Sequence, residues 1–149
     1  ILHQAGEGKA LACQALYESR GVHAEVHAFI SDMSQCYQQA DLVICRAGAL
    51  TLAELTCVGL ASVLVPYPYA VDDHQTLNAS HLVKAGAARL IPQNQLNPDM
   101  LKNTLSELLQ HPNELLRMAE AALRLALPDA TKDVVRLCLE TIDQGGKAA

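Results

Sequence analysis

Tryptophan is absent from these 149 residues, phenylalanine occurs once and tyrosine four times. A core so poor in rings has to be aliphatic, and with 50% of the chain hydrophobic, Leu, Val, Ile and Ala can supply one. Runs of Lys or Arg are also lacking. With a net charge of -5 this argues against a nucleic-acid protein. An anionic ligand is not excluded with it, because backbone N–H groups at a helix start hold phosphate without a basic surface. No stretch approaches the ~18 apolar residues of a membrane-spanning helix, and no signal peptide precedes the first strand. The five cysteines (Cys13, Cys36, Cys45, Cys57 and Cys138) are odd in number and form no C-x-x-C pair. They read as small apolar fillers in a reducing compartment, not as disulfides or metal ligands. These absences imply a soluble, cytoplasmic protein of one ordinary domain.

Several chemical signatures are missing as well. "GEGKA" at Gly6–Ala10 is too short for a phosphate-binding P-loop, which needs four residues between its glycines. It reads as a strand-to-helix loop. No G-x-S-x-G elbow is present for a serine nucleophile. "DDH" at Asp72–His74 has no second cluster to make a metal site and reads as a helix N-cap with surface charge. His23 and His27 share a strand face without a third ligand.

What is present is alternation. "ILHQAG" reads as the end of a strand, and a helix is expected from about Glu7 to Arg20. A strand follows over Val22–Ile30 and a short helix over Met33–Gln39. "DLVI" leads into a strand at Leu42–Cys45, then a helix from Thr51 that Gly59 stops. "ASVLVP" (Ala61–Pro66) is a buried strand, His74–Ala85 a helix ended by Gly86, and Ala87–Ile91 a further strand. The remainder is helical. Asn97 caps a helix with Pro98 at its first position, Pro112 starts the next, and Asp129 caps the last after Pro128. In that last helix Val134, Cys138 and Thr141 or Ile142 share a face, ahead of a polar tail, "QGGKAA". About five strands alternating with helices mean βαβ units: an α/β, Rossmann-like parallel sheet with helices on both faces.

One junction carries a sharper signal. In "CRAGALTLAELTCVG" (Cys45–Gly59) a buried strand opens at Arg46 into Ala47 and Gly48, neither of which carries bulk. Thr51-x-x-Glu54 is explained by a capping box, each side chain satisfying an orphan backbone donor. That leaves the cation at the strand's mouth and the small turn unexplained. An anion would use both.

The strings "ADLVICRAGALTLAEL" and "GLASVLVPYP…DDHQTLNASHLVKAGAARLI" resemble the MurG-type peptidoglycan glycosyltransferases of glycosyltransferase family 28. "HQAGEGKA", "FISDM" and "PDAT" fit that family in order and spacing. The resemblance implies one half of a GT-B enzyme: residues 1–149 as the C-terminal donor-nucleotide domain, without its first strand and without the N-terminal acceptor domain. The implied reaction carries GlcNAc from UDP-GlcNAc to undecaprenyl-pyrophosphoryl-MurNAc-pentapeptide (lipid I), giving lipid II. It is inverting and uses neither metal nor cofactor.

The same resemblance assigns a donor site and no catalytic residue. Ile30 would offer its backbone N–H and C=O to the uracil edge, and Arg46 would lie near the diphosphate. Gly48, Ala49, Leu50 and Thr51, with Leu52 and Ala53 behind them, would form the phosphate turn. Glu54 would accept from both ribose hydroxyls, while Gln75 and Asn78 would read GlcNAc hydroxyls. Position 47 is Ala where many relatives carry Ser. The implied location is peripheral, at the cytoplasmic face of the bacterial inner membrane, with lipid I and most membrane contact belonging to the missing half. Two alternatives stand beside the transferase: a stand-alone subunit that pairs with a separate acceptor-binding protein, and a nucleotide-sugar sensor.

Overall fold

The computed structural model describes residues 1–145. The chain forms two compact units, Ile1–Gln38 and Gln39–Ala149. In the first, β1 (Leu2–Gln4) and β2 (Glu25–His27) pair in parallel, with Leu2 opposite Glu25 and Gln4 opposite His27. They are joined by α1 (Ala10–Ser19), and α2 (Met33–Gln39) follows. The helix expected from Glu7 begins only at Ala10, because Gly6 and Gly8 both adopt left-handed backbone (φ 86 and 72) and hold the connection as a loop. The strand expected over Val22–Ile30 contracts to Glu25–His27. There the parallel ladder to β1 is only three residues long.

The second unit is built on β3 (Val43–Cys45), β4 (Ser62–Leu64) and β5 (Ala88–Leu90), parallel and in that spatial order. The central strand is buried along its whole length. Parallel strands covered on both faces need a largely apolar run, which Ala61, Val63, Leu64 and Val65 provide around the buried Ser62. The same unit holds α3 (Ala49–Val58), α4 (His74–Lys84), α5 (Pro98–Gln110), α6 (Pro112–Arg124) and α7 (Ala130–Gly145). Ala61, Val63, Val65, Ile91, Leu108 and Met118 make one cluster, with Leu42, Leu96, Leu101 and Leu115 packed against it. That core is aliphatic, as the scarcity of rings requires. Five strands and their parallel sense are as expected, and helices flank the sheets. Hydrogen bonding gathers the strands into a two-stranded and a three-stranded ladder, one in each unit, and not into one sheet.

Helix starts follow local chemistry. Asn97 Oδ1 accepts from the Met100 N–H at 2.9 Å, with Pro98 at the first helical position. Asp129 accepts the Asp133 N–H through its backbone carbonyl, while its carboxylate takes Lys132 Nζ at 2.6 Å. The face carrying Val134, Cys138, Thr141 and Ile142 is exposed, as is every other α7 side chain described. Gln144 and Gly145 end α7, and the rest of the expected polar tail, residues 146–149, lies outside the described residues.

All five cysteines are free thiols. Burial pushes the Cys45 thiol up to about 11, so at pH 8 only about one molecule in a thousand carries its thiolate. Cys57 and Cys138 are exposed. Iodoacetamide at pH 8, read by peptide mass spectrometry, should label Cys57 and Cys138 at least tenfold faster than Cys45. Equal rates would mean that β3 opens readily.

Gly59 shows how α3 is seated. It ends the helix in left-handed conformation (φ 74), its N–H reaching the Leu55 and Thr56 carbonyls at 3.0 and 3.2 Å. A Cβ there would sit 2.8 and 2.9 Å from the Leu123 methyls of α6, and closer still to its Cγ. Gly59→Ala should therefore cost about 1 kcal/mol in backbone strain and roughly 1–3 kcal/mol more in overpacking. In urea unfolding, adding Leu123→Ala should remove the overpacking share and leave the strain. No recovery in the double variant would rule out the clash.

Candidate functional site

The ladder between β3 and β4 ends where the Val65 N–H meets the Cys45 carbonyl at 2.9 Å. Arg46, Ala47 and Gly48 then carry the chain to α3. Gly48 is the N-cap, in ordinary extended backbone (φ -67, ψ 141), and a Cβ on it would meet only Thr51 Oγ1, at 3.8 Å. The turn does not need glycine in order to form. What glycine provides is an unobstructed approach to the helix start.

That start differs from the expected one. The helix runs back to Ala49, because Ala49 and Leu50 are both strong helix formers. Thr51 therefore lies inside the first turn and Glu54 beyond it, which removes the capping box: among the described residues no side chain caps α3. The first intrahelical bond is Leu52 N–H to the Gly48 carbonyl at 3.0 Å. The N–H groups of Ala49, Leu50 and Thr51 precede it, aligned with the positive end of the helix dipole. Glu54 is exposed, and among the described residues its carboxylate has no hydrogen-bond or ion-pair partner.

Arg46 is fixed by main chain. Its Nη1 donates to the Val65 and Pro66 carbonyls, each at 3.1 Å, and its guanidinium lies 5.7 Å from the centre of the Tyr67 ring. The Nε–Nη2 edge has no partner among the described residues, and that edge matches two oxygens of a phosphate or carboxylate. From α4, Gln75 Oε1 accepts the Ala47 and Tyr67 N–H groups at 3.3 and 2.9 Å, and Asn78 Nδ2 donates to the Ala47 carbonyl at 3.3 Å.

Of the residues expected at the site, the structure gathers Arg46, Gly48, Ala49, Leu50, Thr51, Gln75 and Asn78 at this junction. Leu52 is buried and its N–H is used within the helix, while Ala53 is exposed. The Leu50 side chain is also exposed, so its backbone is what the turn contributes. Ile30 lies in the first unit, where its N–H is donated to Gln4 Oε1 at 2.8 Å. A base would have to displace that amide or use the Ile30 carbonyl.

Sequence reasoning missed Tyr67, which faces Arg46 and stacks edge-on with Tyr69 (centroids 5.6 Å apart). The "YPY" triplet beside a strand end was the available signal. It also missed the consecutive left-handed Asp72 and Asp73 (φ 51 and 50) ahead of α4. Asp73 occupies the N-cap without capping a backbone group, and its Oδ1 accepts from Thr76 Oγ1 at 2.6 Å.

Residues 1–134 match the glycosyltransferase family 28 C-terminal domain. The chain is 56% identical over 140 residues to a UDP-N-acetylglucosamine--N-acetylmuramyl-(pentapeptide) pyrophosphoryl-undecaprenol N-acetylglucosamine transferase of Hahella chejuensis. It is 53% identical to the Pseudomonas aeruginosa protein of that name. Each match covers 94% of this chain but only 39% of the relative. A crystal structure of Acinetobacter baumannii MurG superposes with a TM-score of 0.88 at 44% identity, over 94% of this chain and 42% of that one. A kitacinnamycin glycotransferase superposes with a TM-score of 0.54 at 26% identity, over 66% and 24%.

Because Glu54 caps nothing, Glu54→Gln and Glu54→Ala should both melt like the parent, within about 0.5 kcal/mol. A loss of about 1 kcal/mol confined to Glu54→Ala, measured by denaturant titration, would return Glu54 to a capping role.

Proposed function

The chain belongs to the glycosyltransferase family 28 C-terminal domain family, and from that premise we propose that it binds UDP-N-acetylglucosamine as the donor half of a transferase. The acceptor would be undecaprenyl-pyrophosphoryl-MurNAc-pentapeptide and the product lipid II, the reaction inverting at the sugar. The observation that carries this reading is the uncapped start of α3, with a fixed guanidinium beside it. The names borne by the relatives support the choice of sugar nucleotide and acceptor.

The chemistry follows from the charges. The N–H groups of Ala49, Leu50 and Thr51 receive the diphosphate at the positive end of the helix, and the Nε–Nη2 edge of Arg46 takes further phosphate oxygens. As the glycosidic bond breaks, charge grows on the UDP oxygen, and these groups stabilise it in place, with no divalent ion required. Glu54 offers two acceptor oxygens to the two ribose hydroxyls. Asn78 Oδ1 and Gln75 Nε2 face the sugar. For Ile30 the proposal is limited to its own carbonyl, as acceptor for a uracil N–H. Lipid I and the peripheral contact with the cytoplasmic face of the inner membrane are assigned to an acceptor-binding half of the kind the resemblance implies.

Calorimetric titration of UDP tests the reading. The parent should bind UDP, and Glu54→Gln should weaken it on the order of 10- to 100-fold, since hydrogen bonds to a charged acceptor are worth about 1.5–3 kcal/mol. An amide has only one acceptor oxygen and no charge. Full UDP affinity in Glu54→Gln would remove Glu54 from the ribose, and a parent that binds no UDP would overturn the donor site. Without an acceptor half the chain alone should transfer no GlcNAc, because neither acceptor positioning nor water exclusion is available.

A further inference from the structure

Ala47 is fully buried at the point where β3 has ended and α3 has not begun. Neither ladder nor helix partners its polar groups, yet a buried peptide group needs partners. Both come from α4. Gln75 Oε1 accepts the Ala47 N–H at 3.3 Å, and Asn78 Nδ2 donates to the Ala47 carbonyl at 3.3 Å. The same Gln75 oxygen accepts the Tyr67 N–H at 2.9 Å. Two backbone donors converging on one atom require an oxygen there, which fixes the amide's orientation. Nε2 has no partner among the described residues and is not a buried unsatisfied atom.

These contacts tie together the two segments that hold Arg46. One is its own, leading into Gly48 and α3. The other is Val65–Pro66–Tyr67, whose carbonyls and ring hold the guanidinium. We infer that Gln75 is a positioning residue for the anion turn, acting on Arg46 and Gly48 through the backbone of Ala47 and Tyr67. The inference rests on the donor-site reading above and extends it. Gln75 then serves the nucleotide as well as the sugar. Only its Nε2 can be offered to GlcNAc, so the sugar must present an acceptor oxygen to it and not a hydroxyl proton. A residue that merely read the sugar would leave UDP binding untouched.

The test uses the full chain, with Gln75→Met and Gln75→Glu. UDP and UDP-GlcNAc affinities are measured by calorimetry, and the Ala47 and Tyr67 amides are followed by hydrogen exchange. Gln75→Met keeps length but lacks the acceptor. It should lose protection at both amides and weaken UDP about tenfold, the worth of one hydrogen bond. Gln75→Glu keeps an acceptor for both N–H groups and has no donor. In about 0.5 M salt, which screens the added charge, it should retain both protections and bind UDP within about threefold of the parent. It should also lose the extra affinity that the GlcNAc moiety confers.

Parent-like UDP affinity in Gln75→Met overturns the inference, and so does a Gln75→Glu no better than Gln75→Met. If Gln75→Met does not fold, Gln75→Ala decides by the same readouts: loss of the Ala47 and Tyr67 protections with UDP weakened supports the role, and parent-like UDP affinity overturns it. A parent that binds no UDP while Gln75→Met still loses the two protections sinks the donor reading, so the two failures are told apart.

Discussion

Everything at the candidate site depends on one constraint: a peptide group taken out of water must find hydrogen-bond partners. Between Cys45 and Ala49 the chain has left its ladder and has not yet entered its helix. The buried Ala47 would be an orphan on both sides without the amides of α4. The need for partners draws α4 onto the end of the sheet, while among the described residues no side chain caps the start of α3. Structural satisfaction and an uncapped helix start beside a held cation therefore occur in one arrangement.

Arg46 follows the same logic in electrostatic form. A free surface arginine samples many rotamers, and holding it for a ligand costs conformational entropy at the moment of binding. Here two main-chain carbonyls and an aromatic face hold it beforehand. A cation fixed in advance stabilises developing charge without reorganising. The carbonyls, those of Val65 and Pro66, lie just past the C-terminal end of the central, fully buried strand.

How much of this was legible in the sequence varied with the kind of interaction. Local signals read well. The apolar run of β4, the bounds of α2 and the Asn97–Pro98 start of α5 each follow from chemistry confined to a few neighbouring residues. The parallel α/β class followed from alternation. The start of α3 was misplaced, since Thr51-x-x-Glu54 has the spacing of a capping box, but Ala49 and Leu50 favour helix and carry it back to Gly48. The strands shortened because a strand's length is set by its partner, which no local pattern reports. The site divided in the same way. Arg46, Gly48 and Glu54 were visible as an odd junction, and Gln75 and Asn78 entered through a family resemblance. The role of Tyr67 and the Gln75 oxygen shared between two loops are long-range contacts that no spacing encodes.

The bifurcated acceptor at Gln75 narrows what position 75 can become. A replacement must end in an oxygen at the same reach from the backbone, which among the standard side chains leaves glutamate alone. Any change of donor preference that ran through this position would have to pass through a charge. Asn78 is freer on one side: its Nδ2 is engaged, but Oδ1 has no partner among the described residues. The two positions of α4 are therefore constrained in opposite senses, residue 75 to keep an acceptor for the Ala47 and Tyr67 N–H groups and residue 78 to keep a donor for the Ala47 carbonyl, whatever else their free ends meet.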